Sequence, residues 1–148
     1  MKTLPPEIRP ASVADVSAMF EVRASVAENT MTPDELVAIG VTPEAIALAV
    51  SSAPCAWVAT IDEEVVAFAM VDMDNACFFA LFVLPEREGL GIGTRLAQTC
   101  ESALFERHPV AWLETARGSR AARLYRHLGW GSEVEMGGGD IRLTKQRP

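Results

Sequence analysis

Leu84-Pro85-Glu86-Arg87-Glu88-Gly89-Leu90-Gly91-Ile92-Gly93-Thr94 is the stretch on which the fold turns: an apolar strand runs into three alternating glycines and then into an amphipathic helix. That order is the layout of a pyrophosphate cradle. Without a Cβ at positions 89, 91 and 93, successive backbone N–H groups can converge on phosphate oxygens at the positive end of the following helix. The spacing excludes two common carriers. A dinucleotide fingerprint requires G-x-G-x-x-G and a P-loop requires G-K-[ST] after a four-residue gap, and Gly89-Leu90-Gly91-Ile92-Gly93-Thr94 meets neither requirement. A different pyrophosphate carrier is implied.

Working outward, the nine residues before the turn, Ala76–Leu84, are apolar on both faces and read as a central strand, with Asp72-Met73-Asp74-Asn75 as its polar approach. Ala56–Ile61 and Val65–Val71 form a hairpin-like pair around the acidic turn Asp62-Glu63-Glu64. Upstream, Ile8-Arg9-Pro10 reads as an edge strand. Ser12 and Asp15 then form a capping-box pattern before a helix whose buried face is marked by Val16, Phe20 and Val26. Residues 27–31 break that pattern, and Thr32-Pro33 and Thr42-Pro43 open two more short helices. Downstream, Ile92, Leu96, Cys100, Ala103 and Leu104 recur at helical spacing to about Arg107, where His108-Pro109 stops the helix. Ala111–Thr115 is a buried strand, Ala121, Leu124, Tyr125 and Leu128 mark another helix closed by Gly129, and Ser132–Met136 and Ile141–Thr144 flank a glycine-rich turn. The expected class is α+β, a mixed central sheet of six to seven strands with helices on both faces, in a single domain over residues 1–148.

Size and charge bound the rest. A chain of 148 residues buries about 68–70% of its unfolded surface, enough for a real core. The longest apolar runs fall far short of the ~20 residues that span a bilayer, and Met1–Pro6 has no apolar signal region, so no membrane is expected as a partner and the cytoplasm is the expected location. Three well-separated cysteines, Cys55, Cys77 and Cys100, suit reduced core thiols better than a disulfide frame or a zinc site. The net charge is −7, divided unevenly: residues 1–86 hold 13 acids and 3 bases (−10), residues 87–148 hold 7 acids and 10 bases (+3). So acidic a chain is a poor partner for nucleic acid. A basic second half suits a phosphorylated ligand, and an acidic first half suits a cationic one.

The strand Leu81-Phe82-Val83 with Pro85, the turn Glu88-x-x-Gly91-x-Gly93, and Ser119-Arg120-Ala121-Ala122-Arg123-Leu124-Tyr125-x-x-x-Gly129-Trp130 together resemble the GNAT superfamily of N-acetyltransferases. The resemblance covers both signature motifs and the whole element order. It implies the acyl-CoA N-acyltransferase fold, acetyl-CoA as co-substrate, and direct acetyl transfer to a primary amine of a small molecule or peptide. It also implies that Leu81, Phe82 and Val83 hold the pantetheine arm, that backbone N–H at Leu81 holds the thioester carbonyl, and that Glu88 to Thr94 (Glu88, Gly89, Leu90, Gly91, Ile92, Gly93, Thr94) bind pyrophosphate. Homodimers are common among such proteins. Two positions depart from the family pattern: Glu88 stands where Gln or Arg is usual, and Gly118 where Asn is usual. Arg87 or Arg95 could supply the missing positive charge, and Ser119 the missing hydrogen bond.

Acetyl transfer needs a neutral amine, a polarised carbonyl, an outlet for the amine's proton and a proton for the thiolate. Tyr125, the sole tyrosine, is the expected general acid, since a phenol's pKa of about 10 lies close to that of a thiol. No carboxylate stands between Ala76 and Leu84 to serve as base. Glu28, Asp72 and Asp74 are the candidates through a water chain, with Glu28 first because Glu28-Asn29 breaks the helical wall beside the expected acceptor pocket; Glu28, Asn29 and Asp72 are the expected acceptor contacts. Arg117, Arg120, Arg123 and Arg126 form a stripe, usually only a solvated face, from which Arg120 and Arg123 are the best placed for the phosphates or adenine of CoA. Neither His108 nor His127 has metal-ligand spacing, so no metal is expected, and no hydrolase triad is legible. Two readings besides the enzyme stay open: a non-catalytic acyl-CoA sensor or regulatory module of the same fold, and a structural domain whose turn binds nothing.

Overall fold

A computed structural model describes residues 6–26 and 31–148 of the chain. Strand β1 (Glu7–Pro10) is followed by a 3-10 turn (Val13–Asp15) and helix α1 (Val16–Ser25), then by helices α2 (Pro33–Ala38) and α3 (Pro43–Ser52). Strands β2 (Ala56–Ile61), β3 (Glu64–Asp72) and β4 (Cys77–Val83) lead into a second 3-10 turn (Pro85–Arg87) and helix α4 (Ile92–Phe105). Strand β5 (Val110–Ala116), helix α5 (Arg120–His127) and strands β6 (Gly131–Gly137) and β7 (Asp140–Gln146) complete the chain. The seven strands form one sheet in the order β1-β2-β3-β4-β5-β7-β6, antiparallel except for the parallel neighbours β4 and β5. No helix among the described residues is long and apolar enough to cross a membrane.

Local chemistry accounts for the element ends. Thr32 and Thr42 accept from the N–H groups of Glu35 and Ala45, capping α2 and α3 as the Thr-Pro pairs suggest. Asp15 reaches back to the Ser12 N–H at 2.8 Å, but it closes a 3-10 turn, and the α-helix begins one residue later. Two expectations for α1 are corrected. Val26 lies past the helix end in extended backbone, and Phe20 is only half-buried, because the inward face is carried by Val16, Met19 and Val22.

The sheet is covered on both faces. On one, Leu96, Cys100 and Leu104 of α4, all fully buried, pack with Tyr125 of α5 and Trp130 against Phe78, Leu113 and Leu143. On the other, Val16, Met19 and Val22 of α1 and Ile46 of α3 pack on Val58, Phe68, Met70 and Ala80. Each large apolar side chain so buried contributes roughly 1.5–3 kcal/mol. Cys77 and Cys100 are buried, Cys55 is half-buried, and all three are free thiols. Burial, with Asp72 and Glu114 nearby, pushes the Cys77 thiol up to about 12.

Strand β4 departs from its expected form. Met70 pairs with Ala80 but Val71 pairs with Phe78, so Phe79 is an extra, bulged residue. A one-residue insertion reverses the side-chain alternation. Phe78 therefore enters the α4/α5 core while Ala80 enters the α1/α3 core, and Phe79 is left 45% exposed. The strand is central by position, yet its second half is not enclosed: Leu81, Phe82 and Val83 are only half-buried.

Candidate active site

Strands β4 and β5 are neighbours in the sheet but are paired only at Cys77 and Trp112. Beyond that point they part. The Leu84 N–H donates to Val66 carbonyl at 2.9 Å, so the two-residue alternation of an antiparallel ladder turns the main-chain groups of Phe82 toward β3 and those of Leu81 and Val83 away from it. These outward groups face the gap, where a ligand's amides can complete the pairing that β5 abandons. The gap holds two adjoining clefts. One, of about 300 Å³, runs from Leu81 and Val83 to Glu88, Gly89, Gly91, Gly93 and Thr94, with Arg87 and Arg120 on its walls. The other, of about 260 Å³, lies between Leu81 and Tyr125 and is bordered by Glu114, Asp140 and Arg23.

The glycine turn is shaped as its spacing suggests, for reasons that differ along it. Gly89 and Gly91 have φ of +82° and +78°, a conformation that L side chains rarely adopt, and Gly91 caps the 14-residue α4. Gly93 is set by packing instead, since a Cβ there would come within 3.3 Å of the Leu124 side chain on α5, which would have to give by a few tenths of an ångström. Open N–H groups at the start of α4 thus face the larger cleft, a fit for a diphosphate.

The side chains expected around this turn divide into two groups. Glu88 is ion-paired with Arg120, which leads α5, so the acid that departs from the usual pattern is neutralised across the cleft. Arg87 also lines the cleft. Leu90 instead points outward and is exposed, while Ile92 is buried in the core and borders the cleft from there. Arg95 is tied to the Pro6 carbonyl at 2.7 Å and Arg123 to the Gly118 carbonyl at 3.2 Å, and neither lines a cleft. Ser119 accepts from the Ala122 N–H at 3.0 Å and donates to the Ala116 carbonyl at 2.8 Å; it builds the N-terminus of α5.

Tyr125 lies on the wall of the smaller cleft, its ring edge-on to Phe78 at 5.5 Å and to Trp130 at 6.3 Å. Burial, reinforced by Cys100 and Cys77, pushes its phenol well above the ordinary tyrosine range. The expected match to a thiol pKa is therefore lost, because desolvation disfavours the phenolate. What remains is a hydroxyl that stays protonated across the physiological range.

Of the expected acceptor contacts, Glu28 and Asn29 lie outside the described residues. Asp72 is on a separate, larger groove and accepts from both the main-chain and side-chain N–H of Asn75, so it shapes the β3–β4 turn. That groove meets the smaller cleft at Phe79. Residues not anticipated here are Glu114, Asp140 and Arg23. Glu114 could have been found by alternation: Ala111 and Leu113 are buried, which sends Trp112 and Glu114 to the opposite face of β5. Arg23 was hidden in a helix, and its guanidinium stacks 4.6 Å above the Phe82 ring.

A model of the acetyltransferase (GNAT) family matches residues 25–130. The chain belongs to the GNAT acetyltransferase family. Solved structures agree in fold. PaiA N-acetyltransferase of Thermoplasma acidophilum, in complex with coenzyme A, superposes with a TM-score of 0.81 at 18% identity over 97% of this chain and all of that one. Ard1 of Thermoplasma volcanium gives 0.73 at 14% identity over 98% and 99%. YncA of Salmonella typhimurium, a putative acetyltransferase with acetyl-CoA, gives 0.66 at 20% identity over 97% and 94%. A comparison with curated protein sequences returns no significant match. In this GNAT chain the parted strands end at the glycine turn, where Glu88 is paired with Arg120.

Proposed function

We propose that this GNAT chain is an acetyl-CoA-dependent N-acetyltransferase that transfers acetyl directly to a primary amine of a small molecule or peptide. The parting of β4 from β5, with two outward-facing residues ending at a helix-capping glycine turn, carries this reading. Acetyl-CoA supplies a carbonyl activated by its thioester. Leu81 and Val83 align the pantetheine arm through main-chain pairing, and the N–H of Leu81 polarises the carbonyl. The amides of Gly89–Thr94 hold the pyrophosphate at the N-terminus of α4, and Arg120 offsets Glu88 beside it.

Transfer forms the N–C bond and breaks the C–S bond, leaving a thiolate. The Tyr125 O–H donates a hydrogen bond to that sulfur. A phenol held in its protonated form by burial serves this role as a hydrogen-bond donor to developing negative charge, in a setting where such bonds are strong.

The test is a steady-state assay of thiol release over a broad panel of amines, beside calorimetry with coenzyme A. Tyr125→Phe should lower kcat by roughly 10²–10³-fold, the usual cost of removing one hydrogen-bond donor to developing negative charge, with coenzyme A affinity unchanged. Coenzyme A binding without turnover of any amine would refute the enzyme.

A further inference from the structure

An amine at neutral pH arrives as an ammonium ion and must lose a proton before it attacks, yet β4 carries no acid between Ala76 and Leu84. The register supplies one from the other strand. With Cys77 opposite Trp112, Glu114 lies two residues further along β5, level with the bulged Phe79 where the strands begin to part. It borders the same cleft as Leu81 and Tyr125.

Its carboxylate is held in one orientation. Arg142 on β7 donates to it twice, from Nε at 3.1 Å and from a terminal nitrogen at 2.5 Å, and both bonds go to Oε2. Oε1 takes no hydrogen bond among the described residues. Arg142 is itself fixed, stacked 4.2 Å above the Trp112 ring, and the Trp112 indole N–H donates to the Asn75 carbonyl at 2.8 Å. A chain of contacts from the β3–β4 turn through Trp112 and Arg142 therefore locks one carboxylate oxygen and leaves its twin available. Asp140, the other acid at this cleft among the described residues, sits at the start of β7 opposite Ala116, further from the point of parting.

Building on the acetyltransfer reading, we propose that Glu114 receives the acceptor's ammonium group at Oε1 and takes its proton before acetyl transfer. The proton moves from R–NH₃⁺ to the carboxylate; the freed nitrogen lone pair attacks the thioester carbonyl carbon. The C–S bond then breaks toward the thiolate that Tyr125 faces, and the second nitrogen proton leaves with the amide's formation, one proton ending on sulfur and one in solvent. Glu114 can return its proton to water because its side chain is 37% exposed. Arg142 acts as a positioning residue. Among the described residues, the charged and titratable groups facing this cleft or the carboxylate are Arg142 and Asp140 from β7, Arg23 from α1, Cys77 from β4 and Tyr125 from α5.

Glu114→Gln keeps the shape and removes the charge. For an amine that the unaltered protein acetylates, kcat/KM at about pH 7 should fall roughly 10²–10⁴-fold with coenzyme A affinity unchanged, and the deficit should shrink as rising pH delivers the amine already neutral. A loss below about 3-fold, or one equal at every pH, overturns the assignment. Since Arg142 loses its partner in that variant, Glu114→Ala provides a second measurement: added formate should restore part of the rate in proportion to its concentration, and no restoration counts against the proposal. Turnover by the unaltered protein with Glu114→Gln unimpaired refutes this role alone. An unaltered protein that binds coenzyme A and acetylates nothing refutes the acetyltransfer reading together with it.

Discussion

Asp15 illustrates how strongly one side chain can be set by its neighbours. Arg9 binds both its oxygens, at 2.7 and 2.9 Å, and with help from Ser12 overrides burial to hold the carboxyl at about 2. A folded-state value below the unfolded one, near 3.9, means that stabilisation is complete above about pH 4 and is lost as pH falls through the folded value. Asp15→Asn should therefore cost on the order of 1 kcal/mol at neutral pH, allowing for solvent around the half-exposed Arg9. The difference between the variant and the unaltered protein should fade between about pH 4 and pH 2, read by urea denaturation at each pH. Single residues also divide by legibility. The capping role of Asp15 and the buried ring of Tyr125 follow from chemistry confined to a few neighbours in sequence. Arg123 was expected near phosphates from a positive stripe and Arg95 from its place beside the glycine turn, but neither position along the chain names the carbonyl within reach of the guanidinium.

At the scale of elements, α5 is the most dependent on its ends. Eight residues are too few for a stable isolated helix, so its capping and packing must hold it in place. Ser119 closes its first turn, and the Trp130 N–H binds the Tyr125 carbonyl at its last. Ser119→Ala should destabilise the protein by about 1 kcal/mol, measured by urea unfolding, because it removes an N-cap acceptor and a bond to Ala116. Thr-Pro start signals located α2 and α3, and hydrophobic patterning located most other elements, with ends shifted by a few residues where caps and fraying decide them. The bulge at Phe79 was not legible. In a strand apolar on both faces, slipping the register by one residue leaves the pattern looking the same, so only pairing with β3 reveals the insertion.

For the molecule as a whole, one polar junction joins parts distant in sequence. Lys145 on β7 donates to Glu101 on α4 at 2.6 Å and to the Leu128 carbonyl at 2.7 Å, and the Trp130 indole donates to the other Glu101 oxygen at 3.0 Å. Lys145→Met would leave the Glu101 carboxylate largely buried without its cation. It should destabilise the fold by roughly 3 kcal/mol, seen as a lower denaturation midpoint, and Glu101→Gln in the same chain should recover part of that loss.

The amino-acid sequence by itself determined the element order, the glycine turn ahead of α4, the GNAT family and the candidate thiolate donor, since each depends on residues near one another along the chain. Only the tertiary structure decided that β4 parts from β5 after one pairing, that Arg120 neutralises Glu88, and that Glu114 stands across from the bulge. Those depend on register and strand twist between segments some 35 residues apart, and the interactions that set a register are spread over a whole sheet rather than written in any one segment.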